Sequence, residues 1–81
     1  MATWADDIET ALSNLGGEAS LHEIYREVEL VRGPERLTPS WQATVRGTLE
    51  RHSPDSQVFG GRELFRSSGG IGRGRWALRR A

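Results

Sequence analysis

Apolar positions in the first half of the chain recur at three and four residues, the period of an amphipathic helix. Trp4, Ile8, Ala11, Leu12 and Leu15 make one stripe, which opens with Thr3 and Asp6 in capping-box spacing and stops at Gly16-Gly17. A second stripe, Leu21, Ile24, Tyr25, Val28 and Val31, follows at once behind the S-x-x-E box of Ser20 and Glu23, with Ala19 and Ile24 placed as a staple. Gly33-Pro34 ends it. The third run places Trp41, Val45, Leu49 and His52 on one face, and its start is expected near Thr38. There a hydroxyl cap precedes Pro39 at the first helical position, where a missing amide proton costs nothing. Ser40, Ala43, Arg46, Gly47 and Arg51 point away from that face, Gln42 and Thr44 lie on its flanks, and Ser53-Pro54 closes the element.

Beyond Asp55 the period shortens. Val58-Phe59, Leu64 to Arg66 and Arg75 to Arg79 read as short strands, separated by Gly60-Gly61 and a longer glycine loop. Three helices followed by a small antiparallel sheet with a Gly/Arg-rich hairpin is an α+β arrangement of the winged helix-turn-helix type. In that plan the sheet closes the bottom of the helical core, with Phe65, Trp76 and Leu78 as the inward side chains. The 81 residues, 1–81, suffice for one domain and one core. They leave little room for a deep catalytic cleft.

Charge changes the picture through its distribution, because eleven arginines and eleven acids cancel to a formal net charge of zero. Residues 1–30 hold seven acids against Arg26, whereas residues 31–81 hold ten arginines against Glu35, Glu50, Asp55 and Glu63. A dipolar molecule is expected, one face repelling phosphate and another attracting it. There is no Lys.

The absence of Cys removes disulfides, thiolate nucleophiles and cysteine zinc sites, and His22 and His52 lack the spacing of a metal pair, so no metal and no cofactor is expected. His52 suits a helix end and His22 an exposed first turn. Ser53, Ser56, Ser67 and Ser68 have no visible base partner, and the adjacent Asp6 and Asp7 are explained by the positive end of a helix dipole. An enzyme is not expected. No apolar run approaches the roughly 18 residues of a membrane span, and no signal peptide is visible, so the expected location is cytoplasmic, with the nucleoid.

Two segments carry the chemistry of nucleic-acid binding. A major groove about 12 Å wide accepts an α-helix, where Arg46 can offer paired donors to guanine and Gln42 a bidentate edge to adenine. Gly47, which weakens an exposed helix by roughly 1 kcal/mol relative to Ala, fits a close backbone approach. Trp41 carries two readings: a core anchor in line with Val45 and Leu49, or an apolar wall for a methyl group in the first turn of a recognition helix. Ser67 to Arg75 is the second segment, whose glycines let a hairpin tip approach the sugar-phosphate rails while Arg73 and Arg75 contact phosphate or probe the minor groove. Gly70, Gly72 and Gly74 do not make a nucleotide cradle, because a strand rather than a helix follows them.

Leu15-Gly16-Gly17, Ser20-Leu21 with Ile24-Tyr25, Leu37-Thr38-Pro39-Ser40-Trp41-Gln42-Ala43-Thr44-Val45-Arg46, His52-Ser53 with Asp55-Ser56, Leu64-Phe65, and Gly72 with Gly74 and Trp76-Ala77-Leu78-Arg79 form an ordered set. In this the chain resembles the winged-helix domains fused to restriction-type nucleases, including those that cut DNA carrying N6-methyladenine. The resemblance implies a reader of double-stranded, adenine-methylated DNA in a GATC-like site. It carries over to Ser40, Trp41, Gln42, Ala43, Thr44, Arg46, Gly47 and Arg51, and to the wing arginines Arg73 and Arg75. The catalytic carboxylates of a nuclease are missing, so cleavage would fall to a partner in another chain.

Physics bounds such a reader. Burying one methyl contributes about 0.8 kcal/mol, so two strands of a palindrome give roughly fifteenfold discrimination. Five arginine-phosphate contacts would give a salt slope of roughly −4.5. The alternatives are a protein-interaction winged helix that docks a basic partner on the two acidic helices, and DNA or RNA binding without methyl specificity.

Overall fold

The computed structural model describes residues 3–53, 63–68 and 74–79. Helix α1 (Trp4–Asn14) starts on a two-way capping box, in which the Thr3 amide donates to Asp6 Oδ2 and the Asp6 amide donates to Thr3 Oγ1, both at 3.1 Å. It ends where Gly16 and Gly17 take φ of 91° and 97°, values that side-chain-bearing residues rarely adopt. That reversal sends the Gly17 amide back to the Leu12 carbonyl at 2.7 Å.

A strand, β1 (Glu18–Ser20), follows directly, where the sequence pattern passes from one helix straight to the next. Three residues with one inward apolar side chain, Ala19, are too short to display a period; what makes them a strand is a distant partner. Ser20 then caps helix α2 (Leu21–Arg32), accepting from the Glu23 amide at 3.2 Å while its own amide donates to Glu23 Oε1 at 2.9 Å. These bonds hold the Glu23 carboxyl below the ordinary carboxylate range. Ser20→Ala is therefore expected to lower stability by about 1 kcal/mol in urea unfolding at neutral pH. A carboxyl with a lowered folded-state pKa contributes above its unfolded value and loses that contribution as pH falls through the folded one. The cost of Glu23→Ala should accordingly shrink in acid, because the Ser20 amide then faces a neutral carboxyl in the parent, and an unchanged cost would detach the cap from the Glu23 charge.

Gly33, at φ 91°, ends α2, and Pro34–Arg36 forms one 3-10 turn. Helix α3 spans Trp41–Arg51, a later start than Thr38 and Pro39 lead one to expect. The Trp41 amide donates to the Thr38 carbonyl at 3.1 Å, and Ser40, at φ −109° and ψ 32°, is the N-cap residue. Pro39 thus occupies the second position of a turn, which suits its fixed φ as well as a helix start does, and Thr38 does not act as the cap.

Strands β2 (Phe65–Ser67) and β3 (Arg75–Leu78) complete an antiparallel sheet in the order β1-β3-β2. The expected strand boundaries move by one residue each: Leu64 precedes β2 and Arg79 follows β3. The expected strand at Val58-Phe59, Gly60-Gly61 and the glycine-rich hairpin tip lie outside the described residues. Register pairs Phe65 with Leu78, Ser67 with Trp76, and Ala77 with both Arg66 and Glu18. Three helices and a small three-stranded antiparallel sheet make an α+β domain compatible with a winged helix. Its first strand, however, lies between the first two helices rather than after the third.

The core is filled by Ile8, Leu12, Ile24, Val28, Val45, Leu49 and Phe65, all fully buried, with Trp76 nearly so. Leu78, expected inward, is half-buried at the core's edge. The amides of Leu64 and Phe65 both donate to the His52 carbonyl, at 3.0 and 3.1 Å, and the His52 ring meets Phe65 edge-on at 6.4 Å. The end of α3 is thereby tied to β2.

Asp7 does more than meet the helix dipole, the role expected of it as a first-turn acid. Its Oδ2 accepts from Arg32 Nη1 at 2.6 Å, with side chains only 9% and 11% exposed, and the Arg32 guanidinium lies 3.7 Å from the Trp4 ring centroid. This nearly dry ion pair clasps α1 to α2.

Candidate nucleic-acid interface

The rotation of α3 is set by what it buries. Val45, Thr48 and Leu49 face the core, and the half-buried Trp41 meets Tyr25 of α2 edge-on at 5.7 Å. Trp41 therefore packs at the edge of the core while part of its side chain stays exposed. With that face locked, Ser40, Gln42, Ala43 and Arg46 are exposed together, four of the residues singled out by the helical pattern. The Ser40 side chain makes no capping bond, and Arg46 makes no ion pair among the described residues.

The other candidates on α3 stand differently. Thr44 is half-buried, and its hydroxyl donates to the Ser40 carbonyl at 3.3 Å. Arg51 is exposed but folds back along its own helix, Nη2 donating to Thr48 Oγ1 at 3.3 Å. A Cβ built on Gly47 would stand 3.2 Å from Arg51 Nη1, so the glycine makes room for that guanidinium. This accounts for Gly47 within the helix, alongside any close approach from outside. One residue the pattern overlooked is Glu50, four positions after Arg46 and so on the same outward side, where it adds a negative charge. Its i, i+4 spacing was the available signal.

The expected separation of charge survives only in part. Two of the ion pairs among the described residues join the acidic and basic halves, Arg32 with Asp7 and Arg75 with Glu18, and a third links Arg79 to Glu63. The physical reason is topology: α1 packs on α2, whose last residue is Arg32, and β1 pairs with β3, which opens with Arg75, so single arginines of the second half meet acids of the first. Arg36, Arg46, Arg51 and Arg66 are exposed without a carboxylate partner among the described residues.

Arg75 leaves β3 on the exposed side, its Nε 3.4 Å from Glu18 Oε2, and Ser68 Oγ donates to the same oxygen at 2.5 Å. The Ser68 bond and then Arg75 hold the Glu18 carboxyl below its ordinary range, with Arg66 adding to the effect. Gly74 has φ 72°, and its carbonyl accepts from the Leu21 amide at 2.7 Å, fixing the return of the hairpin to the start of α2. Ser67, expected in the exposed hairpin, is buried opposite Trp76. Arg73 lies outside the described residues.

Two open surface cavities, of about 380 and 520 Å³, border the last turn of α1 and Leu78, and neither touches α3. Among the described residues, no group of three or more His, Cys, Asp or Glu is placed to hold a metal ion, and no helix is long and apolar enough to cross a membrane. Comparison with protein-family models, curated proteins and solved structures finds no match.

Proposed function

We propose that this chain is a winged helix-turn-helix module that binds double-stranded DNA, with α3 in the major groove and the β2-β3 hairpin against the backbone. The observation that carries this reading is the outward row Ser40, Gln42, Ala43 and Arg46 on a helix whose opposite face is locked in the core. Eleven residues make a helix of about 16 Å, enough to cross a major groove. Gln42 and Arg46 are one turn apart, roughly 6 Å along the axis, which brings them to base pairs about two steps apart. Exposed Ala43 supplies an apolar contact between them. The rival use as a protein-docking winged helix needs an acidic face that is also apolar. Leu30, 78% exposed, is the one large exposed hydrophobe among the described residues, which is too little for such a face.

The sharper form of the proposal is recognition of N6-methyladenine in a GATC-like site, with any strand cleavage performed by a nuclease in another chain. The methyl projects into the major groove, so α3 can sense it without extracting the base. Fluorescence anisotropy with fully methylated, hemimethylated and unmethylated duplexes should give affinities in that order, spanning up to roughly fifteenfold. Three superimposable curves would eliminate methyl reading and leave DNA binding standing. Failure to bind any duplex tighter than about 10⁻⁴ M at physiological salt would remove both.

A further inference from the structure

We infer that Ser68, Arg75 and Arg66 form a phosphate-binding site at the base of the β2-β3 hairpin, and that Glu18 occupies it as an internal phosphate surrogate until an external phosphate displaces it. Glu18 belongs to β1, at the far edge of the sheet from β2, yet its carboxylate reaches across β3 to Ser68 at 2.5 Å and Arg75 at 3.4 Å. Both contacts converge on one oxygen, Oε2, so a hydroxyl and a guanidinium are already arranged around a single anionic atom. Arg66 stands in the same cross-strand row, in register with Ala77, which in turn faces Glu18. Ala77, the short residue between them, is itself buried. A phosphate oxygen accepts the same bonds as a carboxylate oxygen and carries the same charge, which is why guanidinium-hydroxyl sets serve both.

The surrogate is readily displaced. Glu18 and Arg75 are 42% and 49% exposed, and exposed ion pairs are worth only about a 1.5- to fivefold factor in an equilibrium. Glu18 therefore attenuates binding without abolishing it. It also discriminates against isolated anions, which lack the additional contacts that a polyanion makes elsewhere.

The identification of DNA as the phosphate source rests on the proposed function; the anion site does not. Glu18→Gln preserves shape and removes the charge, and Glu29→Gln removes an equal charge from an exposed position on α2 as the control for net electrostatics. Glu18→Gln is expected to bind an unmethylated duplex about two- to fivefold tighter than the parent, beyond any gain from Glu29→Gln. Inorganic phosphate should shift the Ser68 and Arg75 amide resonances at lower concentration in Glu18→Gln than in the parent. Adding Arg75→Ala to Glu18→Gln should erase both gains, with thermal unfolding used to establish that each variant is folded. Equal effects of the two Gln variants, together with no phosphate-induced shift at Ser68 and Arg75, would reduce Glu18 to a strap between β1 and the hairpin and overturn the inference, leaving DNA binding by α3 intact. Phosphate shifts in Glu18→Gln without duplex binding by any variant would uphold the site and overturn the DNA reading.

Discussion

Asp7→Ala is expected to lower the unfolding free energy by about 3–5 kcal/mol, a large share of the roughly 5–15 kcal/mol available to a small domain. Removing the carboxylate strands a guanidinium that is 11% exposed and whose Nε already has no hydrogen-bond partner among the described residues. The remaining compensation among the described residues is the face of Trp4 at 3.7 Å, and a cation-aromatic contact offsets about 0.5–2 kcal/mol. Urea unfolding at neutral pH measures the loss, and high salt should not reproduce it, because the pair is shielded from bulk ions. Replacing both members with apolar residues of similar volume, Asp7→Leu with Arg32→Met, should recover most of the stability, since the charge is then absent rather than unpaired. A loss below about 1 kcal/mol for Asp7→Ala would mean that the pair behaves as an exposed one.

Arg46→Ala should weaken binding to the preferred site by about 1–3 kcal/mol, or roughly five- to 150-fold, and weaken random duplex much less. The asymmetry follows from the proposed role: a bidentate contact to a base edge is lost only where the right base is present, whereas phosphate contacts are lost everywhere. Arg79, already held by Glu63 at 3.0 Å, provides the contrast, and Arg79→Ala should change either affinity little. Anisotropy titrations against both duplexes at one fixed salt concentration separate the cases. If Arg46→Ala leaves the ratio of the two affinities unchanged, α3 does not read the site through this residue.

The helices were legible because their signals are local. Thr3 with Asp6, Ser20 with Glu23, and the stripes Ile8-Leu12, Ile24-Val28 and Val45-Leu49 all lie within a few turns, and each has the geometry its spacing implies. The start of α3 was misplaced because a proline after a hydroxyl residue suits a turn and a helix start alike, and the choice rests on the Trp41 amide bonding to Thr38. Strand β1 had no local signature, since Glu18, Ala19 and Ser20 acquire strand geometry only from Ala77, Trp76 and Arg75. On the outward side of α3, helical period alone was enough to bring Ser40, Ala43 and Arg46 together, and the structure adds Gln42 from the flank. It did not show that Arg51 lies back over Gly47 or that Thr44 turns its hydroxyl to the backbone.

Periodicity and capping, which act over three to eight residues, determined by themselves that this chain forms three amphipathic helices and which face of the third is free. Tertiary structure decided which charges are spent inside the molecule. Asp7 met Arg32 across 25 residues and Glu18 met Arg75 across 57, so that arginines indistinguishable along the chain became a buried clasp, a tethered pair or an exposed cation. The reason is physical: a charge's environment depends on its distance to other charges and to water, and packing α1 on α2 and β1 on β3 sets those distances.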